Sequence, residues 1–245
     1  MGDYTVLQAG DTALVVEFGE SVDQRLSARV LALARRLDEA CLDGLVETVP
    51  TFRSLMVHYD PLVLPLASLV ACVERAMRSL PIAEDVGRQW RLPACYDPRV
   101  APDLDHVALR TGLSPAQVIE RHSSVPYHVY MLGFLPGQPY LGDLPAELAL
   151  ARRETPRARI PAGSLAIAGT MTCIFPLETP CGWHLVGRSP IALWQRGAVG
   201  GALLTPGDKV SFVPISLREY ERLAAKAHEG TLRIEPEGIA TEAAA

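Results

Sequence analysis

Pro161-Ala162-Gly163-Ser164-Leu165-Ala166-Ile167-Ala168-Gly169 is a short apolar run bracketed by glycines, and it sets the character of the chain from Val129 onward. Thr172 to Phe175, Trp183 to Val186 and Lys209 to Val213 repeat the pattern: brief β-rich stretches separated by Gly and Pro. Many short strands with tight turns predict a closed or nearly closed β-barrel, which removes exposed sheet edges. Working outward, Gln89 to Cys95 reads as a strand that opens this unit. Asp103 reads as the cap of a short helix that stops at Gly112. In Ser114-Pro115-Ala116-Gln117 an N-cap, a first-turn Pro and a capping-box Gln start a second helix, which ends near His122. Leu217 to His228 reads as a last helix and Thr231 to Ile234 as a final strand, with a frayed tail after Glu237.

The chain before Pro81 has a different rhythm. Tyr4 to Gln8 and Ala13 to Phe18 read as strands, and Leu26, Val30, Leu33 and Leu37 recur at helical spacing. Leu45 to Val49 and the alternating Leu55, Val57 and Tyr59 give two more strands. A second amphipathic helix follows, with Leu66, Leu69, Val70, Val73, Met77 and Leu80 on one face. This ββαββα order predicts a small α+β domain over residues 1–85, the charged Ile82 to Arg88 as linker, and a β-barrel domain over 89–237. The fold class is α+β.

With 245 residues, 49% of them hydrophobic and 21% charged, the chain can bury one large core or two modest ones. The net charge of −5 argues against nucleic acid as a partner, since phosphate binding needs a basic surface. An apolar run long enough to span a membrane is lacking, and the first residues do not read as a signal peptide, so the expected location is the cytoplasm. Five cysteines with no CxxC pair read as reduced, mostly buried thiols, and the sequence offers no metal site.

Three stretches could carry chemistry, and each has an ordinary structural account beside the chemical one. Gly133-Phe134-Leu135-Pro136-Gly137-Gln138-Pro139-Tyr140-Leu141-Gly142 packs three glycines, two prolines and two aromatics into ten positions; it is a rigid turn that could present Phe134 and Tyr140 as flat surfaces. Pro161, Ala162, Gly163 and Ser164 put small residues just C-terminal to Arg152, Arg153, Arg157 and Arg159. Exposed backbone N–H groups with arginines could hold a carboxylate or phosphate. A GxxxxGK[ST] loop does not occur, and Ser164 lacks the GxSxG elbow of a hydrolase nucleophile. Thr179 to Arg188 places Trp183, His184 and Arg188 by a Gly-rich turn; Cys181 with His184 makes a poor dyad because sequence neighbours seldom have the geometry. His122 is the better acid–base candidate, since a helix C-terminus raises a histidine's proton affinity.

Taken together and in order, these stretches resemble the family of 5-oxoprolinase B subunits, also called allophanate hydrolase subunit 1, which includes the sporulation kinase inhibitor KipI. The matching sequence comprises Val49-Pro50, Arg53-Ser54-Leu55, Tyr59-Asp60-Pro61, Asp103-Leu104, His122, Tyr127, GFLPGQPYLG, RRETPRARIPAGSLAIAG, GWHLVGRSP and TPGDKVSFVPIS, nearly the whole chain. The resemblance implies a small N-terminal α+β domain and a cyclophilin-like barrel. It also implies work beside subunits C and A to open 5-oxoproline to glutamate with ATP, which the complex uses and which this chain is not shown to bind. A KipI-like inhibitor of a sensor histidine kinase and a subunit acting on allophanate or another carbamoyl substrate are the alternatives. A prolyl isomerase role would rest on fold alone. Two positions depart from the family pattern: Cys181 stands where Gly is usual, which would disfavour a positive φ, and Gln138 stands where Phe is usual.

The resulting expectation is an anion pocket bordered by Arg157 and Arg159, with Arg153, floored by the Pro161 to Ser164 backbone. His122 is expected nearby as a proton-transferring contact, with His122 and Arg157 as the catalytic candidates; Phe134, Tyr140, Trp183 and Arg188 are expected substrate or anion contacts, the three aromatics being candidate partner anchors as well.

Overall fold

A computed structural model describes residues 4–80, 87–195 and 201–237. The chain divides into two compact units, Met1–Val86 and Gly87–Ala245. The expected linker residues 82–86 and the tail after Glu237 lie outside the described residues.

In the first unit β1 (Thr5–Gln8), β2 (Ala13–Glu17), β3 (Leu45–Pro50) and β4 (Ser54–Tyr59) form an antiparallel sheet in the order β1-β2-β4-β3. Alternation along β4 buries Leu55, Val57 and Tyr59 on one face. They share a core with Leu33 and Leu37 of α1 (Gln24–Glu39) and with Leu69 and Val73 of α2 (Leu66–Arg78). Helix α1 starts where Asp23 accepts from the amides of Arg25 and Leu26.

The second unit is a closed seven-stranded barrel. Its strands are β5 (Gln89–Cys95), β6 (Tyr127–Leu132), β7 (Pro139–Gly142), β9 (Ser164–Ala168), β10 (Met171–Ile174), β12 (His184–Arg188) and β13 (Lys209–Ile215). They run in the order β10-β7-β6-β13-β5-β12-β9, with β10 pairing β9 to close the ring, and β13 runs parallel to β5 from Lys209↔Gln89 to Ile215↔Cys95. A two-stranded sheet of β8 (Arg157–Ile160) and β11 (Thr179–Cys181) lies outside the ring's strand order. Strand β9 explains its own composition. Leu165 and Ile167 join the main barrel core with Leu92, Val129, Val186 and Phe212. Ala166 and Ala168 belong to a second cluster with Ile160, Phe175, Cys181 and Trp183. A strand buried on both sides has no room for polar side chains, and small ones let the second layer approach.

Helices α3 (Leu104–Thr111) and α4 (Pro115–Ser123) follow β5, and α5 (Leu217–His228) follows β13. The capping box at α4 is formed: Gln117 N donates to Ser114 Oγ and Ser114 N to Gln117 Oε1. The expected final strand does not form. Thr231 to Ile234 is irregular, and three residues further on Glu237 makes an isolated bridge to Gln89.

Helix α4 delivers His122 into the core, where the side chain is fully buried and its ring stacks on Phe212 at 4.9 Å. Thr172 Oγ1 donates to the Ala166 carbonyl at 3.1 Å, so it must accept from His122 Nε2 at 2.9 Å; Nδ1 then accepts from the Tyr96 hydroxyl at 2.8 Å. Both nitrogens are occupied in one directional chain. Burial pushes the His122 pKa down to about 3, the opposite of the helix-end expectation. Desolvation outweighs the helix dipole because the ring lies inside the core.

That difference predicts a pH signature. Above the unfolded value of about 6.5 both states hold neutral imidazole, and below it only the unfolded chain takes up the proton, so stability falls with pH until the folded value is reached. Between about pH 6 and 4 the native chain should lose stability more steeply than His122→Gln, by about 1.4 kcal/mol per pH unit. Equal slopes in denaturant titrations across that range would sink the assignment.

Candidate functional site

Asp103 sits at the N-cap of α3, but its side chain caps nothing. The carboxylate, 3% exposed as a residue, instead accepts from Arg157 Nη1 and Nη2 at 2.8 and 2.7 Å, from Arg153 Nη1 at 2.9 Å and from the Leu185 amide at 2.7 Å. The bidentate Arg157 contact is the strong fork-to-carboxylate geometry. Burial alone would push the Asp103 carboxyl up. The Arg157 hydrogen bonds, the Leu185 amide and the two guanidinium charges outweigh it and hold the carboxyl below its ordinary range.

The arginine run therefore separates into different jobs. Arg153 and Arg157 converge on Asp103, while Arg159 pairs with Glu178 at 2.6 Å on an exposed surface. Arg152 lies over the Trp183 ring at 5.9 Å. The Pro161 to Ser164 backbone is not an open floor. Gly163 N donates to Phe175 O at 2.7 Å, Ser164 N to Pro161 O at 3.4 Å, and Ser164 Oγ to Pro161 O at 2.7 Å. Gly163 has φ +80°, and a Cβ there would meet the Ser189 carbonyl at 2.2 Å, so close packing of the loop against the end of β12 accounts for the glycine. Arg188 Nε donates to Ala162 O at 2.9 Å and ties the same corner.

The aromatics also part ways. Trp183 is 8% exposed and meets Tyr140 and Phe175 edge-on at 6.3 and 6.5 Å. Phe134 stays 68% exposed at φ +70°, a backbone region bulky side chains rarely adopt. Its loop is held by Gly133 N to Gln138 O and Gln138 N to Leu135 O, both at 3.1 Å. Cys181 lies within β11 rather than at positive φ, so the expected conflict with its side chain does not arise. Burial raises the Cys181 thiol, and Trp183 N donates to its sulfur at 3.2 Å. His184, the base such a dyad would need, has Nε2 on the Ala151 carbonyl at 2.9 Å. This leaves neither a thiolate nor an oriented dyad.

An open cavity of about 400 Å³ lies between α3 and the segment 150–155. His106 and Arg110 come from α3, Arg152, Arg153 and Glu154 from the segment, and His184 from β12. The His106 and His184 rings stack at 5.4 Å with an 18° tilt. Sequence reasoning missed His106 and Arg110. Their i, i+4 spacing, which puts both on one helical face, was the available signal. Among the described residues no three His, Cys, Asp or Glu side chains group as metal ligands, and no helix is long and apolar enough to cross a membrane.

Asp103→Asn should lower unfolding free energy by about 2–3 kcal/mol, below the loss typical of a fully buried pair because Arg153 and Arg157 keep 28% and 27% of their side chains exposed. The depressed carboxyl contributes above its unfolded value of about 3.9, and that contribution is lost as pH falls through the folded value. The gap between native chain and variant should therefore close in acid. A constant gap down to low pH, or no gap at neutral pH, would count against the network.

Residues 4–204 match the model of the carboxyltransferase domain, subdomain C and D. The chain is 38% identical to the 5-oxoprolinase B subunit of Bacillus subtilis (strain 168), over 89% of this chain and 95% of that protein. It is 39% identical to the 5-oxoprolinase B subunit of Escherichia coli O157:H7, over 84% of this chain and 93% of that one. Among solved structures, TTHA0988 superposes with a TM-score of 0.75 at 37% identity, covering 83% of this chain and 40% of that longer chain. The chain thus belongs to the family of 5-oxoprolinase B subunits, built on the carboxyltransferase C and D subdomain fold.

Proposed function

We propose that this chain is the B subunit of a cytoplasmic, ATP-dependent 5-oxoprolinase that opens 5-oxoproline to glutamate together with subunits A and C. The observation that carries the reading is near full-length kinship: three 5-oxoprolinase B subunits share 34–39% identity and are covered over 93–96% of their length. Hydrolysis of an unstrained lactam runs uphill without coupling, so phosphorylation of the amide oxygen is the activation the complex must supply. This chain's part is to bind and orient. Its cavity joins guanidinium groups to imidazoles, which suits an anionic substrate, while its buried Cys173 and Cys181 thiols are raised by burial and stay protonated. A complete nucleophile-and-base set does not come together among the described residues, which supports a site finished by partner subunits.

Phe134 is the proposed anchor for that assembly. A backbone at φ +70° costs about 1–3 kcal/mol and persists only where surroundings enforce it. Here the enforced geometry holds an aromatic ring outward, the residue type that dominates interface energetics. A second reading, a subunit handling a carbamoyl substrate such as allophanate, draws support from the family's carboxyltransferase description.

Phosphate release coupled to 5-oxoproline should be negligible for the purified chain and should appear when subunits A and C are added. Robust turnover by the chain alone would overturn the subunit reading. A mixture silent on 5-oxoproline but active on allophanate would transfer the assignment to the carbamoyl substrate, and inhibition of a sensor kinase autophosphorylation by a silent chain would transfer it to a KipI-like regulator. Phe134→Ala should weaken association with the C subunit by about 2 kcal/mol with unfolding stability nearly unchanged. Unaltered affinity in calorimetry would remove the anchor.

A further inference from the structure

The cavity between α3 and residues 150–155 has two features that the fold does not require. The first is unbalanced positive charge. Arg153 is committed to Asp103, which also takes Arg157, so that triad of two guanidinium groups and one carboxylate keeps one net positive charge. Arg110 and Arg152 also line the cavity, and neither has an ion pair among the described residues; Glu154 adds one negative charge to the lining. A cavity lining with an excess of guanidinium groups, closed at its back by the buried His184, favours an oxyanion.

The second feature is an unfilled acceptor. His184 is 5% exposed, and because a carbonyl can only accept, its contact with Ala151 O fixes a hydrogen on Nε2. In the neutral ring Nδ1 is then a bare lone pair, buried and without any hydrogen-bond partner. Leaving a buried acceptor unpaired is unfavourable, and on a side chain that lines a cavity it is satisfied by a donor that arrives with a ligand. The parallel His106 ring supplies a flat surface beside it.

We propose that this cavity binds a small carboxylate that also carries an N–H donor, with the oxyanion on Arg110 and Arg152 and the N–H toward His184 Nδ1. A lactam acid has both groups on one compact ring. The choice of 5-oxoproline as that acid rests on the function proposed above. The carboxylate subsite could equally take a phosphoryl oxygen, and a protonated phosphate could offer His184 Nδ1 an O–H, so the lactone, which has neither donor, isolates the N–H contact.

The test uses the full chain alone, with 5-oxoproline, its lactone analogue lacking the N–H, and inorganic phosphate as probes, followed through histidine ring resonances by NMR titration. The native chain should bind 5-oxoproline saturably and shift the His106 and His184 signals. Arg152→Gln and Arg110→Gln should each weaken binding about tenfold, as should replacement of the N–H in the lactone, while Arg222→Gln, whose arginine pairs with Glu219 on α5, should change nothing. Lactone binding as tightly as 5-oxoproline would overturn the N–H subsite, and phosphate binding more tightly than 5-oxoproline would reassign the cavity to a phosphoryl ligand. Absence of saturable binding, or binding indifferent to Arg152→Gln and Arg110→Gln, would overturn the site. Turnover by the reconstituted complex is read separately: an active complex with no binding by this chain sinks the cavity and spares the subunit reading, and a silent complex with Arg152-dependent binding does the reverse.

Discussion

The Asp103 carboxylate is taken out of water and accepts four hydrogen bonds, three from guanidinium groups and one from a strand amide. Its partners lie 50, 54 and 82 residues further along the chain. One side chain thus fixes the start of α3 against β8, β12 and the Arg153 segment. A buried carboxylate without such compensation would be strongly unfavourable, so these elements are held in mutual register by the need to satisfy it. The arrangement also sets the electrostatics beside it. Two arginines on one carboxylate leave a positive remainder, and His106 and Arg110 are presented from the same helix whose first residues Asp103 anchors. The geometry of the cavity therefore depends on this contact more than on any one of its lining side chains.

A second carboxylate plays a comparable part at the far end of β13. Asp208, 1% exposed, accepts from Arg88 Nε and Nη2, from Trp90 Nε1 and from the amides of Arg88 and Thr205. It binds the first residues of β5 to the turn that starts β13, the two strands whose parallel pairing is the longest register in the barrel. Gly87 belongs to the same contact. A Cβ there would lie 1.8 Å from the Gly207 carbonyl, so only glycine lets the chain enter the barrel at this point.

Local signals were legible where the structure is decided locally. Ser114 and Gln117 form the capping box their spacing announces, the first unit's strands and helices follow their hydrophobic periods, and the Gly-punctuated runs close into a barrel. Reading failed where a distant partner outcompetes a local role. Asp103 has the sequence position of a cap, yet two arginines offer it full charge compensation, whereas a cap offers amide dipoles alone. The small residues of β9 look suited to exposing backbone to a ligand, but a strand packed on both faces gives the same composition. Of the two departures from the family pattern, Cys181 is absorbed in an extended strand. Gln138 is 2% exposed with its Oε1 unpaired, a polar group in a place where the family's usual Phe would have no such need.

Two of the three buried histidines of the barrel, His122 and His184, show why position in sequence is a weak guide to chemistry. His122 ends a helix and is followed by Ser123 and Ser124, which makes it attractive by sequence, but Tyr96 and Thr172 occupy both its nitrogens and its proton affinity is suppressed by burial. Accepting a proton from a substrate would require breaking a satisfied core hydrogen bond and charging a ring with no counterion contact in that chain. His184 begins a strand beside a cysteine that invites a false pairing, yet only one of its nitrogens is committed, and it lines a cavity rich in positive charge. A side chain able to receive a ligand must keep a polar atom uncommitted near a space a ligand can enter. By that criterion His184 and the arginines around it are the side chains proposed to receive a ligand, while both nitrogens of His122 are committed within the barrel core.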